Sequence, residues 1–199
     1  MAAIAQLQEA VDSWWIRNTP HLKVVFRVLF GIIWGIDGAL KFSPGLVSAF
    51  PEMVSNAAHG QPAWLSGWFS FWQAQVSANP ALWVYSTGAL ELAIAAALVL
   101  GFLRKLAYTG GILVSLVIWA VPEGFGGPYG PGSTDIGTGI IYAMVFLMLI
   151  VINASHGPSV WSLDYHIERR WPWWARLSEV RSSNVVRAPP RGDGSRTEP

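Results

Sequence analysis

Long, continuously apolar runs separated by shorter polar segments form the main pattern along the chain. A helix needs about 20 apolar residues to cross a bilayer. Four runs come close to that length, at 24–42, 82–102, 106–121 and 136–153. They do not alternate between apolar and polar positions, which favours helices over the strands of a membrane barrel. The pattern therefore predicts an all-α fold, an integral membrane four-helix bundle.

The composition supports a membrane protein. Of the 199 residues, 52% are hydrophobic and only 13% are charged, whereas a soluble domain carries about 25% charged residues. Cysteine is absent, which excludes disulfides, thiolate catalysis and cysteine-held metal centres within the chain. The net charge of +1 gives no reason to expect a nucleic-acid partner.

Lysine and arginine are distributed unevenly among the segments that connect the runs. The segments 43–81 and 122–135 contain neither. Basic residues instead precede the first run, fill the turn after the second and follow the fourth: Arg17, Lys23, Arg104, Lys105, Arg169, Arg170 and Arg176. Because cytoplasmic loops of membrane proteins are rich in Lys and Arg, we expect both termini in the cytoplasm. The chain would then be a multi-pass protein of the cell membrane.

The same pattern divides the chain into four parts. A cytoplasmic N-terminal segment covers 1–23, and the membrane domain covers 24–153. The segment 154–180 combines tryptophan with arginine, which is typical of an amphipathic anchor at the cytoplasmic surface of a lipid bilayer. Residues 181–199 are rich in Ser, Pro, Gly and charge, which predicts a disordered tail.

The first outer loop carries Trp64, Trp68 and Trp72 at intervals of four residues. This spacing puts the three indoles on one face of a helix. Tryptophan prefers the depth of the lipid headgroups, so we expect a short helix that lies in the membrane interface. The alternative is a lid over a pocket.

The second outer loop, 122–137, is rich in Gly and Pro. It has neither of the glycine motifs that bind nucleotides, and its composition is typical of an irregular connection. We expect Ser133, Thr134 or Asp135 to cap the first turn of the fourth span. The alternative is a loop that closes over an outer pocket.

Glu91 lies near the middle of the apolar run 82–102. A carboxylate at that depth is costly unless it finds a partner, so it indicates a functional site. Asp37 and Lys41 are four residues apart on the first run, the favourable order for an intrahelical ion pair. Helix rise places Glu91 closest in depth to Asp37, with Lys41 near the rim and Arg27 able to reach cytoplasmic water. The alternative role for these charges is to hold the helices together.

We expect these side chains to converge on a ligand pocket in the outer half of the bundle, with Trp34 as an apolar wall. A mostly apolar cavity with a few polar groups is typical of small-molecule sites. Buried carboxylates can also deliver protons to a ligand. The candidate catalytic residues are Glu91 and Asp37, and the candidate substrate-binding residues are Lys41, Trp34, Arg27 and Asp135. The four histidines do not cluster, so no metal site is predicted.

Two motifs in the spans are similar to a known family. They are FRVLFGIIWGIDGALKF, with Arg27, Gly31, Gly38 and Lys41, and ELAIAAALVLGFLRK, with Glu91, Gly101 and Arg104. With them the chain resembles the DoxX superfamily of four-span membrane proteins. The loop segments QPAWLSGWFSFW and EGFGGPYGPGSTDIG resemble, within it, the DoxD-like small subunit of thiosulfate:quinone oxidoreductase. The resemblance covers about residues 20–155.

The resemblance implies a membrane subunit of a redox complex that binds quinone and works with a second redox subunit, and it allows a homo-oligomer. No haem ligand pair or flavin signature is visible in the sequence, so electrons would have to come from a partner. Two alternatives stay open. One is a non-catalytic scaffold that anchors another protein, and the other is a small-solute transporter.

Overall fold

The computed structural model describes residues 2–129, 135–156 and 159–180. These residues form α-helices and short 3-10 turns without any strand, which confirms the all-α prediction for the described part of the chain. The helices are α1 (Ala2–Leu40), α2 (Leu46–Ala57), α3 (Ser66–Ala78), α4 (Pro80–Leu100), α5 (Arg104–Ala120), α6 (Thr138–His156), α7 (Leu163–Arg170) and α8 (Ala175–Ser178). The predicted disordered tail 181–199 and the capping candidates Ser133 and Thr134 lie outside the described residues.

Local signals fix the ends of α4. The Asn79 side chain accepts a hydrogen bond from the Leu82 backbone N–H at 3.1 Å, and Pro80 occupies the start of the helix, where its missing N–H costs nothing. At the other end Gly101 adopts a left-handed conformation with φ of 65°. Glycine takes this conformation without steric cost, and it closes the helix in the usual way.

Two of the four predicted spans have helices that are long and apolar enough to cross a membrane, α4 (Pro80–Leu100) and Thr138–Ser155 within α6. This finding rests on length and composition alone, and it supports membrane association. The predicted start of the first span, at residue 24, is not a helix boundary. Helix α1 runs for 39 residues and contains Pro20, so its rise of 1.5 Å per residue makes it about 58 Å long.

The four long helices pack in antiparallel pairs, α1 against α4 and α5 against α6. At Gly38 the first pair comes so close that an added Cβ would lie 2.9 Å from the Cβ atom of Glu91. Only glycine permits this approach, as at many helix contacts in membrane proteins. An aromatic cluster fills the centre, where Trp34 meets Phe146 at 5.0 Å and Tyr142 at 5.2 Å between ring centroids.

Helices α2 and α3 cover one end of the long helices. Val54, Val76 and Val121 form a second small core there, and the indole N–H of Trp68 donates to the Ala120 carbonyl at 3.0 Å. This end is called the Lys41 end below. The segment 159–180 packs on the opposite end, which is called the Arg104 end.

The prediction that Trp64, Trp68 and Trp72 share one helical face is wrong. Trp64 lies in a 3-10 turn before α3 and is 80% exposed. Trp68 and Trp72 lie in α3, with ring centroids 5.8 Å apart. The turn Ala63–Leu65 has 3-10 geometry and α3 begins only at Ser66, so Trp64 does not share the 3.6-residue period of the helix.

Candidate functional site

Three charged side chains meet at the Lys41 end. The Lys41 Nζ atom lies 3.1 Å from Asp37 Oδ1 and 3.3 Å from Glu91 Oε2. Glu91 is completely buried, whereas the side chains of Lys41 and Asp37 are 21% and 33% exposed. Neither Glu91 oxygen has a hydrogen-bonding partner among the described residues. The shared ammonium group therefore provides the charge compensation that burial of a carboxylate requires.

The structure thus brings together three residues that the sequence singled out, but in a different order. Depth along the helices placed Glu91 nearest to Asp37, yet Lys41 lies between the two carboxylates. Lys41 follows α1 in a turn, where its backbone N–H bonds to the Gly38 carbonyl. Its flexible four-carbon stem can reach a neighbour deeper in the protein, which an estimate from helix rise does not capture.

A cavity of about 380 Å³ adjoins this ion cluster. Asp37 and Lys41 line it, and Glu91 lies behind Lys41 outside the lining. The remaining lining residues come from α1 to α6 and the turns between them: Leu40, Ser43, Leu46, Phe50, Met53, Trp72, Val76, Trp83, Val84, Thr87, Val117, Ile118, Val121, Pro122, Glu123 and Thr138. The size and the mostly apolar walls are those of a small-molecule site.

Glu123 is a cavity residue that the sequence reasoning missed. Its Oε2 atom accepts the Gly139 backbone N–H at 2.9 Å, and its Oε1 atom accepts the Thr138 hydroxyl. Glu123 therefore caps α6 from a position 16 residues earlier in the chain. The antiparallel packing of α5 and α6 creates this arrangement, and local capping rules look only a few residues back.

The capping role predicted for Asp135 needs correction. Its Oδ1 atom accepts the Gly137 backbone N–H at 2.7 Å, two residues further on. This contact shapes a local turn before α6. The backbone N–H of Gly139 in the first turn of α6 donates to Glu123 instead. Asp135 is also absent from the lining of the cavity.

Trp34 is likewise not a wall of the cavity. It lies nearly one helical turn deeper than Asp37 and is completely buried. Its indole packs against Phe30, Tyr142 and Phe146 with centroid distances between 5.0 and 5.9 Å. The aromatic cluster that contains Trp34 thus lies below the cavity and belongs to the core.

Arg27 lies at the Arg104 end, at the opposite end from the candidate ligand-binding residue Lys41. It is only 2% exposed, and its Nη2 atom donates to the Trp161 carbonyl at 3.1 Å. Its guanidinium also packs against Gly101, where an added Cβ would lie 2.5 Å from Nη1. The prediction that Arg27 reaches out to water is therefore wrong, because the segment after α6 folds over it, and Arg27 does not line the cavity.

Arg104 is the centre of a second buried ion cluster. It is 1% exposed, and its Nε atom lies 3.0 Å from Asp164 Oδ2. Its other nitrogens donate to Asn153 at 3.3 Å, to Glu168 at 3.4 Å and, at short range, to Glu179. The guanidinium fork suits several acceptors at once. One arginine thereby ties α5 to α6, α7 and the residue after α8.

Asp164 strengthens this end through backbone contacts. Its carboxylate accepts the N–H groups of Leu103 and Arg104 at 2.9 and 3.0 Å, and the Trp174 indole N–H at 2.8 Å. It therefore caps α5 from a position 60 residues later in the chain.

Burial raises the pKa of Glu179 above its ordinary value, and the positive charge of Arg104 opposes that shift.

The segment 159–180 thus has two faces. Its polar residues Asp164 and Glu179 are buried against Arg104. Its large apolar residues point outward, with Trp161, Trp171 and Trp173 at least half exposed. The outward face fits the predicted anchor, while the inward face makes the segment part of the folded core.

Fold and site together define the class of this protein: an all-helical protein with two helices of membrane-spanning length and a buried ion cluster beside an apolar cavity. Comparisons with protein-family models, curated proteins and solved structures gave no match.

Proposed function

We propose that this protein is a four-span membrane protein of the DoxX type, with both termini in the cytoplasm. In this proposal the cavity at the Lys41 end binds a quinone or a similar small ligand. The protein would act as the membrane subunit of a redox complex of the thiosulfate:quinone oxidoreductase type. A second subunit would supply the electrons, and this chain would supply the ligand site and protons.

The exposed apolar side chains support the membrane part of the proposal. On α1 the side chains of Ile32, Ile33 and Ile36 are 50–59% exposed, and on α6 those of Met148 and Val151 are 56% exposed. A soluble protein rarely exposes apolar surface on this scale. Lipid would cover these faces, and the uneven distribution of Lys and Arg would orient the spans.

Cysteine labelling tests this topology. The chain has no cysteine, so single variants Asn56→Cys on α2 and His166→Cys on α7 have no background. Both positions are exposed. In intact cells an impermeant maleimide should label position 56 at once and position 166 only after the membrane is permeabilised. Labelling of both positions from the same side would contradict the topology.

The observation that carries the ligand proposal is the cavity beside the Lys41 cluster. Its volume of about 380 Å³ lies within the usual range for ligand sites. The aromatic rings of Phe50, Trp72 and Trp83 line it and suit a flat ring. The Lys41 ammonium group can donate a hydrogen bond to a carbonyl oxygen, so the residues present fit a quinone.

The ion cluster also suits the chemistry of quinone reduction, which consumes protons. Lys41 contacts Asp37 inside the cavity and Glu91 behind it. Buried carboxylates next to a ligand can hold protons and release them. Asp37 and Glu91 are therefore the proton donors in this proposal, and Lys41 orients the ligand.

A cavity-filling variant tests the ligand site. Thr87 lines the cavity, whereas its neighbour Ser86 is exposed. Thr87→Trp should weaken binding of a short-chain quinone analogue by about tenfold or more, because the indole occupies the space of the ligand. Ser86→Trp is the matched control and should bind like the wild type. The measurement is fluorescence titration of purified protein in nanodiscs.

A non-catalytic scaffold is the competing function, and the mutual pairing of Asp37, Lys41 and Glu91 favours it. In a scaffold the charges would serve only to join α1 to α4. Wild-type protein would then show no saturable binding of the quinone analogue. Equal binding by the Thr87→Trp and Ser86→Trp variants would also remove this cavity as the ligand site.

A further inference from the structure

The Lys41 end carries an excess of negative charge. The chain has no Lys or Arg in residues 42–103 or 106–160, while Glu52, Glu91, Glu123 and Asp135 fall within these stretches. Among the described residues that line the cavity, Lys41 is the only Lys or Arg. A cleft with charges of one sign and apolar walls concentrates ions of the opposite sign.

The imbalance is sharpest at the cavity itself. Asp37 and Glu123 in the lining carry two negative charges when ionised, Glu91 behind Lys41 adds a third, and Lys41 carries one positive charge. The sum is −2, or −1 when Glu91 holds a proton. Glu91 is completely buried and shares the single positive charge of Lys41 with Asp37, at distances of 3.3 and 3.1 Å, so Lys41 compensates the two carboxylates only in part.

Aromatic rings stand beside these carboxylates. Trp72 and Trp83 line the cavity with ring centroids 5.2 Å apart and nearly perpendicular planes, and Phe50 lines it as well. The faces of aromatic rings attract cations, and this attraction grows when water is excluded. Rings combined with carboxylates form the usual environment for substituted ammonium groups.

We infer that this cavity selects organic monocations with an apolar body, which the carboxylates Asp37 and Glu123 and the rings of Trp72 and Trp83 recognise. The inference goes beyond the proposed quinone site, because it needs no redox chemistry and no second subunit. It also predicts that small anions do not enter the cavity. In a redox complex of the proposed type, the anion thiosulfate would therefore have to react at a different site.

Three probes of nearly the same shape test this charge selectivity. Phenyltrimethylammonium is the cation, tert-butylbenzene is its neutral counterpart, and benzenesulfonate is the anion. The full chain in nanodiscs should bind the cation about tenfold more tightly than the neutral probe, since nearby carboxylates attract it through a medium of low dielectric constant. The anion should not bind. Equal affinities for cation and neutral probe, or no binding of the cation, would overturn the inference.

Charge variants assign the effect to the cavity. Asp37→Asn and Glu123→Gln should each weaken binding of the cation about five- to tenfold and leave that of tert-butylbenzene unchanged. The neutral probe thereby reports whether the cavity is still folded. Lys41→Met should strengthen binding of the cation. Glu52→Gln is the matched control, because Glu52 is exposed on α2 and does not line the cavity.

The outcomes also separate this inference from the quinone proposal. Thr87→Trp should weaken binding of every ligand that uses the cavity by about tenfold or more, whatever its class. Binding of the cation without binding of a quinone analogue would remove the quinone proposal alone. A loss of cation affinity in Glu52→Gln equal to that in Asp37→Asn would show a general surface attraction and overturn the inference.

Discussion

Replacing Arg104 by methionine should destabilise the folded protein by about 3–5 kcal/mol, the usual cost of breaking a buried ion pair from one side. Arg104 is 1% exposed and lies between Asp164, Glu168 and Glu179. Methionine nearly matches the volume of the aliphatic part of the arginine side chain but carries no charge. The variant would leave Asp164 completely buried and without its ionic partner.

The measurement is the free energy of unfolding in detergent micelles, followed by tryptophan fluorescence. Arg170→Met is the matched control, because Arg170 is exposed at the end of α7 and should cost less than about 1 kcal/mol. A second signal should be faster proteolysis within 159–180, since Arg104 holds this segment on α5. Equal stability of the two variants would contradict the role assigned to Arg104.

The cost of Arg104→Met should also depend on pH. Burial raises the pKa of Glu179, and Arg104 opposes that shift, so removing Arg104 should raise the pKa further. A carboxyl group with a raised pKa in the folded state stabilises the protein below its unfolded pKa. That stability is lost as pH rises through the folded pKa. We therefore expect a smaller cost at about pH 5 than at about pH 8, and a larger cost at pH 5 would be inconsistent with this explanation.

Lys41→Met should have the second-largest effect, a loss of about 3 kcal/mol in the free energy of unfolding. The substitution leaves Glu91 buried with no positive charge beside it. The value lies at the low end for buried pairs because Lys41 is 21% exposed. Asp37 is one-third exposed, so water screens its pair with Lys41 and Asp37→Asn should cost less than about 1 kcal/mol.

A double-mutant cycle identifies the partner of Lys41. Glu91→Gln removes the buried charge and keeps the shape, so the protein should stay folded. In the Glu91→Gln background, Lys41→Met should cost about 1–3 kcal/mol less than in the wild type. Full additivity of the two substitutions would show that the ion pair contributes nothing. Glu91→Gln should also lower any quinone-linked turnover, which separates a proton donor from a purely structural carboxylate.

The sequence predicted the local features of this protein well, because their causes are local. Apolar runs placed α4, α5 and α6 within a few residues of their observed bounds. The spacing of four residues between Asp37 and Lys41 predicted their ion pair, which forms within one helical turn. Gly38 of the first span makes a close contact with Glu91, of the kind that small residues permit between helices.

Errors arose where one helix end needs a partner from another element. Capping rules pointed to Ser133, Thr134 or Asp135 for α6, but Glu123 reaches the helix from 16 residues earlier. No sequence rule pointed to Asp164 for α5, and it lies 60 residues beyond Arg104. The sequence alone does not distinguish a carboxylate that faces water from one that faces a buried arginine, when both lie in polar segments. Its partner becomes visible only when the helices are placed side by side.

The sequence by itself therefore determined the helical class, the apolar surface that favours a membrane and the buried charge of Glu91. Each of these follows from composition or from spacing within one helix. Only the tertiary structure decided which charges pair, because pairing depends on the rotation and the depth of each helix relative to its neighbours. Those two quantities placed Lys41 between Asp37 and Glu91 beside the cavity, and Arg27 and Arg104 at the opposite end.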